Sequence, residues 1–126
     1  MENTQPISTK NAPQAIGPYS QAYVHNGLIY TSGQIALTPQ GEFVDGDITA
    51  QSTQVLQNLK AILESAGSSL QKVIKTSVFL SDMEHFNALN AVYAEFFGSH
   101  KPARSTIAVK TLPKNALVEI ECIAVL

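Results

Sequence analysis

Apolar residues recur at helical spacing in two segments of this chain. From about Thr49 to Ala66 they fall every three or four positions, and Gly67 follows as a natural helix end. A second helix is predicted to open at Ser81-Asp82-Met83-Glu84, which has the form of a capping box, and to end at Gly98. The apolar stripes comprise Val55, Leu56, Leu59, Ile62, Leu63 and Ala66 in the first helix, and Phe86, Leu89, Tyr93, Phe96 and Phe97 in the second.

Runs of β-forming residues predict the strands. Residues 22–31 are typical of a hairpin, because Asn26-Gly27 supplies the positive φ angles of a type I′ turn between two such runs. Ser32-Gly33-Gln34 then ends the second strand, whereas the polar segment from Met1 to Pro13 is expected to form an extended arm. Further strands are predicted at Val73–Leu80, with Ile74, Val78 and Leu80 on one face, at about Arg104–Val109, and at Leu117–Leu126.

The predicted order is two or three strands, a helix, a strand, a helix and two strands. It contains no repeat and no linker, and 126 residues suit one domain covering 1–126. Two helices are enough to cover one face of a single sheet. The fold expected is therefore α+β, a two-layer sandwich in which a mixed β-sheet carries two helices on one face.

The last strand indicates what covers the other face of that sheet. One row of its alternate residues, from Val118 to Leu126, is wholly apolar and should face the helices. The opposite row combines Glu119 and Glu121 with three aliphatic residues, which is too apolar for a face open to water. We infer a homo-oligomer in which this face packs against another subunit, closing a ring or a dimer.

Composition and charge argue against several classes of protein. Eight basic and ten acidic residues give a formal charge of −2, which disfavours nucleic-acid binding through a basic face. No apolar run approaches the roughly 18–20 residues that span a bilayer, and the first ten residues show no secretory signal or arginine-rich transit peptide. The lone Cys122 allows no internal disulfide and fits a reducing compartment, the cytoplasm or the mitochondrial matrix. With one cysteine and three scattered histidines, we expect no metal site.

Two charged side chains near the final strands are candidates for chemistry. Arg104 opens a predicted strand, and it is either a surface arginine or a bidentate ligand for a planar carboxylate. Glu119 is a solvated glutamate, a partner in an ion pair across an interface, or a partly desolvated general acid–base. Glu121, two residues further along the same face, is the alternative active group or a structural partner. An arginine and a tunable carboxyl group together suit chemistry on a small acid.

Other candidates carry weaker signals. Asn90 lies on the apolar side of the second helix, either as a tie between helix and loop or as an amide aimed into a pocket. Tyr19 follows Gly17-Pro18 in a tight turn, where a tyrosine most often packs. Ser32-Gly33 ends a strand, and glycine there lets a ligand approach the backbone. Cys122 lies on the core-facing row and is interpreted as an inert small hydrophobe.

Together these segments resemble the RidA family, also called the YjgF family. The most specific feature is Pro102-Ala103-Arg104-Ser105, followed at fixed spacing by Leu112 and then by Val118-Glu119-Ile120-Glu121. The resemblance extends over nearly the whole chain, through Asn11-Ala12-Pro13, Ile16-Gly17-Pro18-Tyr19-Ser20-Gln21, Thr31-Ser32-Gly33-Gln34-Ile35, Val55-Leu56-Gln57-Asn58-Leu59-Lys60, Lys75-Thr76-Ser77-Val78-Phe79-Leu80 and Asn90-Ala91-Val92-Tyr93.

The resemblance implies a chorismate-mutase-like fold assembled as a homotrimer, with active sites in clefts between subunits. It also implies hydrolysis of reactive 2-imino or enamine acids, such as 2-aminoacrylate and 2-aminocrotonate, which pyridoxal-phosphate-dependent dehydratases release. The products are a 2-keto acid and ammonia. No cofactor is needed, because a protonated imine is already electrophilic and requires only an oriented water and a modest base.

The same resemblance assigns roles by position. Arg104 would bind the substrate carboxylate, and Glu119 would position and activate the attacking water. Many relatives have cysteine in place of Thr106, so a side-chain contact there would alter substrate preference. Residues that would line or brace the pocket are Tyr19, Ser32, Gly33 and Asn90, and the backbone of Ser105 and Thr106 would face the imine nitrogen.

Two other functions stay open at this point. One is an endoribonuclease or translation inhibitor, an activity also attributed to relatives, against which the acidic balance and the lack of a histidine pair weigh. The other is a non-catalytic module that senses 2-keto acids or fatty acids, or acts as a chaperone. Such a module needs the same pocket but no activation of water.

Overall fold

The computed structural model describes residues 4–126. Short 3₁₀ turns at Leu70–Lys72, Met83–His85 and Pro113–Asn115 lie between the main elements. The main elements are β1 (Thr4–Ile7), β2 (Ala22–His25), β3 (Leu28–Thr31), α1 (Ile48–Ser65), β4 (Val73–Leu80), α2 (Phe86–Phe97), β5 (Ala103–Ala108) and β6 (Val118–Val125).

All six strands form one sheet in the order β1-β2-β3-β6-β4-β5. Only β4 and β5 pair in parallel, joined by the crossover helix α2, and the remaining pairs are antiparallel. The last strand of the chain therefore lies inside the sheet, between β3 and β4. The expected α+β architecture, with a mixed sheet and two helices, is confirmed.

The apolar row of β6 packs against the helices as expected. Val118, Ile120 and Ala124 are fully buried, and Cys122 is buried beside Thr31, which donates its hydroxyl hydrogen to Sγ. Burial raises the pKa of the Cys122 thiol to about 12, so the thiol stays protonated and packs as a small hydrophobe. Neither helix in the described part of the chain is long and apolar enough to cross a membrane.

Helix α1 and the hairpin follow their sequence signals closely. The Asp47 carboxylate accepts a hydrogen bond from the Ala50 N–H at 2.9 Å and caps α1, while Gly67 adopts φ +86° just beyond its end. Asn26 and Gly27 have φ angles of 49° and 82°, as a type I′ turn requires. These local signals were sufficient to predict α1 and the hairpin, because each signal depends on side chains that are close in sequence.

The start of α2 differs from the predicted capping box. The Asp82 side chain, and not that of Ser81, accepts from the Glu84 N–H at 2.8 Å and caps the 3₁₀ turn Met83–His85. Helix α2 begins only at Phe86. The aspartate one residue further on provides a short carboxylate that reaches the nearest free N–H, so it replaces the serine as the cap.

Residues Thr4–Ile7, within the segment predicted to be an extended arm, pair with β2 as an edge strand, where backbone hydrogen bonds compensate for the lack of an apolar pattern. The expectation for the face of β4 was wrong. In β4, a register shift between Val73 and Lys75 buries Val73 completely and leaves Ile74 47% exposed, so Ile74 does not share a face with Val78 and Leu80. Met1 to Asn3, the start of the expected arm, lie outside the described residues.

The face of the sheet away from the helices carries large exposed side chains. Tyr23 and Tyr30 are cross-strand neighbours, exposed at 44% and 42%, and Ile107 on β5 is 51% exposed. We call this surface the open face. Large apolar side chains exposed on one face of a sheet are typical of a surface that contacts another protein chain.

Candidate active site

A cavity of about 680 Å³ lies where β6 approaches the segments that flank β2 and β3. Its walls come from the segment before β2, from the end of β3 onwards, and from the turn before β6. Four of the predicted site residues line it, namely Tyr19, Ser32, Gly33 and Glu119, and Glu121 lies there as well.

Glu119 and Gly33 are brought together by a backbone bridge next to them. The Gln34 N–H donates to the Ile120 carbonyl at 2.9 Å, and the Ile120 N–H donates to the Gln34 carbonyl at 3.1 Å. This bridge holds the chain after β3 against β6, so that the Glu119 side chain lies across Gly33. A Cβ added to Gly33 would lie 2.9 Å from Glu119 Cδ and would overlap Oε2. Only glycine leaves room for the carboxyl group in this position.

The surroundings of Glu119 disfavour its charge. Partial burial raises the pKa of the Glu119 carboxyl group, and the nearby Glu121 carboxylate raises it further. A carboxyl group with a raised pKa, set in a cavity, is a candidate general acid–base.

Tyr19 and Ser32 are fixed by hydrogen bonds at the cavity. The Ile16 N–H donates to the Tyr19 hydroxyl at 3.2 Å, and the Tyr19 N–H donates to the Gly17 carbonyl at 2.9 Å. Ser32 donates its hydroxyl hydrogen to the Ser20 carbonyl at 2.6 Å. The Ser32 side chain therefore braces the segment before β2, and the Tyr19 ring, 51% exposed, stays at the cavity wall.

Arg104 lies elsewhere, against helix α2. Its guanidinium carbon is 4.8 Å from the centroid of the Tyr93 ring and 5.5 Å from that of Phe86. The Tyr93 hydroxyl shares a hydrogen bond of 2.8 Å with Thr76. Burial raises the pKa of Tyr93, so the phenol is neutral beside the guanidinium. These aromatic contacts hold the arginine at the edge strand of the sheet.

Two buried oxygens lie on the same two elements. Asn90 follows Phe86 by one helical turn on α2 and precedes Tyr93, and Thr106 is two residues from Arg104 on β5. Asn90 Oδ1 and Thr106 Oγ1 are both buried without a hydrogen-bond partner within residues 4–126. Such atoms are rare in folded proteins, and they point to a ligand, water or partner surface that would complete the site.

Within one chain, the two groups of predicted site residues lie on opposite faces of the sheet. Arg104 is in register with Thr76 and, through it, with Cys122, whose side chain faces the helices. Glu119 is in register with Phe79, one residue out of phase with that row, and it belongs to the open face. Ser105 also faces away from the helices and accepts a hydrogen bond from Lys75 Nζ at 3.1 Å. Within one chain, the sheet therefore separates the Arg104 side chain from the Glu119 side chain.

Sequence reasoning did not select most of the residues that line the cavity, among them Lys114 and Gln21. Lys114 lines it from a turn in which Lys114 and Asn115 have φ angles of 57° and 54°. Two consecutive non-glycine residues with positive φ angles are uncommon and carry backbone strain. The only sequence signal for this turn was Asn115, two positions after Pro113. Gln21 also lines the cavity and is 3% exposed. No local pattern in the sequence distinguishes a buried glutamine from an exposed one.

Across residues 4–126, no three histidine, cysteine, aspartate or glutamate side chains gather as ligands for an ion. The groups available at the cavity are carboxyl, hydroxyl, amide and ammonium groups.

Both the sequence and the fold match known proteins. The family described as endoribonuclease L-PSP matches residues 9–126. A RutC family protein of Pyrococcus horikoshii is 55% identical over 119 residues, 94% of each chain. The chloroplastic Reactive Intermediate Deaminase A of Arabidopsis thaliana is 46% identical over 121 residues, covering 95% of this chain and 65% of that protein. The solved structure of E. coli TdcF with bound serine has a TM-score of 0.92 and 43% identity, covering 97% of this chain and 98% of that one.

Proposed function

We propose that this chain, which belongs to the endoribonuclease L-PSP family (the RidA or YjgF family), is an imine and enamine hydrolase. Its substrates are 2-iminopropanoate, 2-iminobutanoate and their enamine forms, and its products are 2-keto acids and ammonia. The observation that carries the proposal is the half-buried Glu119, folded over Gly33 inside a cavity, with its pKa raised. The lone buried Cys122 fits a cytoplasmic location.

The site we propose is shared between subunits of a homotrimer. Arg104 of one copy meets Glu119, Gly33, Ser32 and Tyr19 of the next. Two features support this arrangement: the apolar open face, and the placement of Arg104 and Glu119 on opposite faces of one sheet. A head-to-tail contact of this kind closes into a ring in which every site is equivalent.

Arg104 binds the substrate in this account. The guanidinium forms a bidentate pair with the planar carboxylate, and the Tyr93 and Phe86 rings limit its movement. Asn90, on the helix that carries Phe86 and Tyr93, and Thr106, on the strand that carries Arg104, supply unpaired oxygens. The backbone of Ser105 and Thr106 faces the imine nitrogen.

Glu119 activates the water. The water oxygen adds to C2 of the protonated imine while one proton passes to the Glu119 carboxylate, giving a neutral carbinolamine. Glu119 returns that proton to the nitrogen, the C–N bond breaks with its electron pair on nitrogen, and ammonia leaves. The carbinolamine hydroxyl passes its proton to the Glu119 carboxylate, which releases it to the solvent, where ammonia takes it up as ammonium, and a 2-keto acid remains. An enamine enters the same sequence after a proton is added at C3.

Two relatives support the substrate class. One is named a reactive intermediate deaminase, and another was solved with serine, which carries a carboxylate and an α-nitrogen in the positions the proposal requires. The required acceleration is modest, because such imines also hydrolyse in water without an enzyme.

A coupled assay tests the proposal. A serine/threonine dehydratase generates the imine, and keto-acid release is timed with and without this protein. We expect faster release with the wild type and about 10²-fold less acceleration with Arg104→Ala at an unchanged oligomeric state. Lys101→Ala, which removes an exposed cation three residues earlier, is the matched control and should behave as the wild type. No acceleration by the wild type would reject the enzyme and favour a non-catalytic module that senses 2-keto acids.

An endoribonuclease is the second candidate, because the matching family carries that description. Two carboxyl groups, Glu119 and Glu121, line the cavity and would repel a phosphodiester. None of the histidines within residues 4–126 lines it. Cleavage of RNA by the purified wild type, lost in Arg104→Ala, would support this candidate over the hydrolase.

A further inference from the structure

One wall of the cavity is a segment without regular secondary structure. Residues 8–21 connect β1 to β2, and Pro13, Ala15, Ile16 and Tyr19 within them line the cavity. An irregular segment holds a defined position only through specific contacts. Whatever fixes this segment also fixes the width of the cavity.

The side chain of Gln21 joins the start of β2 to this segment. Its Oε1 accepts a hydrogen bond from the Thr9 N–H at 2.7 Å. Its Nε2 donates to the carbonyls of Pro13 at 2.7 Å, Thr9 at 3.1 Å and Ala12 at 3.4 Å. The backbone carbonyl of the same residue accepts from the Ser32 N–H at 2.9 Å. One residue therefore connects the wall to the strand ends on which the cavity is built.

The remaining hydrogen bonds of the wall are mostly local. The Asn11 N–H donates to Thr9 Oγ1 and Gln14 Nε2 donates to the Thr9 carbonyl, both at 3.2 Å. These bonds join parts of the segment to each other and do not anchor it, and the bond from the Ser32 hydroxyl to the Ser20 carbonyl anchors only the end of the segment next to Gln21. Ala12 and Pro13 are buried, so their carbonyls have little access to water if the Gln21 donor is removed.

We propose that Gln21 is a positioning residue that sets the cavity wall and, through it, the selection of substrates by side-chain size. The inference rests on the proposed function and adds to it a residue outside the reacting groups. The Gln21 amide makes its hydrogen bonds to backbone groups of the wall, so its removal leaves Arg104 and Glu119 in place. A small imine makes few contacts with the wall and therefore depends little on Gln21. A larger one depends on it.

The variant that tests this is Gln21→Glu. It keeps the size of the side chain and the acceptor for the Thr9 N–H, but it removes the N–H donors to three carbonyls. For an imine with a leucine side chain, we expect KM to rise about tenfold, the loss that follows when one or two methylene contacts are removed. For 2-iminopropanoate, which makes fewer contacts with the wall, we expect a clearly smaller rise in KM than for the larger imine. Gln40→Glu, on an exposed turn, makes the same chemical change away from the cavity and should alter neither substrate.

Hydrogen exchange provides a readout that does not depend on activity. Peptides covering residues 8–20 should exchange about tenfold faster in the variant, while α1 and β4 exchange as in the wild type. Equal losses for both imines, or faster exchange throughout the protein, would make Gln21 an ordinary core residue and overturn the proposal. If Gln21→Glu does not fold, Gln21→Met gives the same test without a charge. If the wild type hydrolyses neither imine, the proposed function fails, and hydrogen exchange alone decides whether Gln21 holds the wall.

Discussion

At the scale of single residues, Glu119 has surroundings that oppose its ionisation. A general base must be ionised at working pH, yet burial and the Glu121 carboxylate both raise the pKa of Glu119. A raised pKa also makes the carboxylate a stronger base once it is ionised, which suits proton transfer near neutral pH. The raised pKa affects the pH dependence of activity, whereas the position of the carboxyl group depends on Gly33.

The acid limb of the pH profile of kcat/KM should report the ionisation of the Glu119 carboxyl group. Activity requires the ionised form, so it falls as pH drops through the raised pKa, at a pH above the ordinary glutamate value of about 4.3. Glu121→Gln removes a negative charge, so the pKa of Glu119 falls and the limb should move to lower pH. Glu84→Gln, an exposed change outside the cavity, should leave the limb in place. A limb that does not respond to Glu121→Gln would show that another group sets it.

Gly33→Ala should remove most of the proposed hydrolase activity without unfolding the protein. The backbone of Gly33 is outside the left-handed region, so alanine is tolerated there, but its Cβ would displace the Glu119 carboxyl group. A misplacement of this size costs about 10²-fold in kcat. Gly46→Ala is the control, because its Cβ would meet Ala50 Cβ at 3.1 Å and Val44 Cγ1 at 3.9 Å, neither of which lines the cavity. Near-normal turnover in Gly33→Ala with an unchanged melting temperature would mean that the position of Glu119 is unimportant.

At the scale of elements, the success of sequence reasoning depended on how local each signal was. Helix α1 and the hairpin were predicted nearly to the residue, because their caps and turns involve side chains a few positions apart. The bulge at Ile74 and the pairing of Thr4–Ile7 were missed. Both depend on which strand lies alongside, and a single sequence does not state that.

The corrected cap of the turn before α2 gives a test at this scale. Asp82→Ala should lower the free energy of unfolding by about 1 kcal/mol, because the Glu84 N–H loses its acceptor. Ser81→Ala, at the position that the capping box favoured, should cost less. Chemical denaturation of both variants measures the difference. A larger loss in Ser81→Ala than in Asp82→Ala would restore the predicted capping box.

At the scale of the whole molecule, the grouping of the site residues follows from the two faces of the sheet. Arg104 and Glu119 were selected from the sequence as separate side chains, and the cavity contains Glu119, Tyr19, Ser32 and Gly33. The separation of Arg104 from Glu119 within one chain follows from the register of β4, β5 and β6. Spacing along the chain does not reveal that register. Spacing along the chain also did not indicate that Gln21 or Lys114 belongs to the site, because both line a cavity that forms only when the chain folds.

The central claim is that each active site combines Arg104 of one copy with Glu119 of another, and subunit mixing tests it most directly. Arg104→Ala and Glu119→Gln, each inactive alone, are unfolded together in equal amounts and refolded. We predict recovery of about a quarter of wild-type activity, since random assembly pairs an intact Arg104 with an intact Glu119 at one oriented interface in four. Separately refolded variants should stay inactive. If the mixture also stays inactive, although mixed oligomers form, the two residues do not act across subunits and the account is wrong.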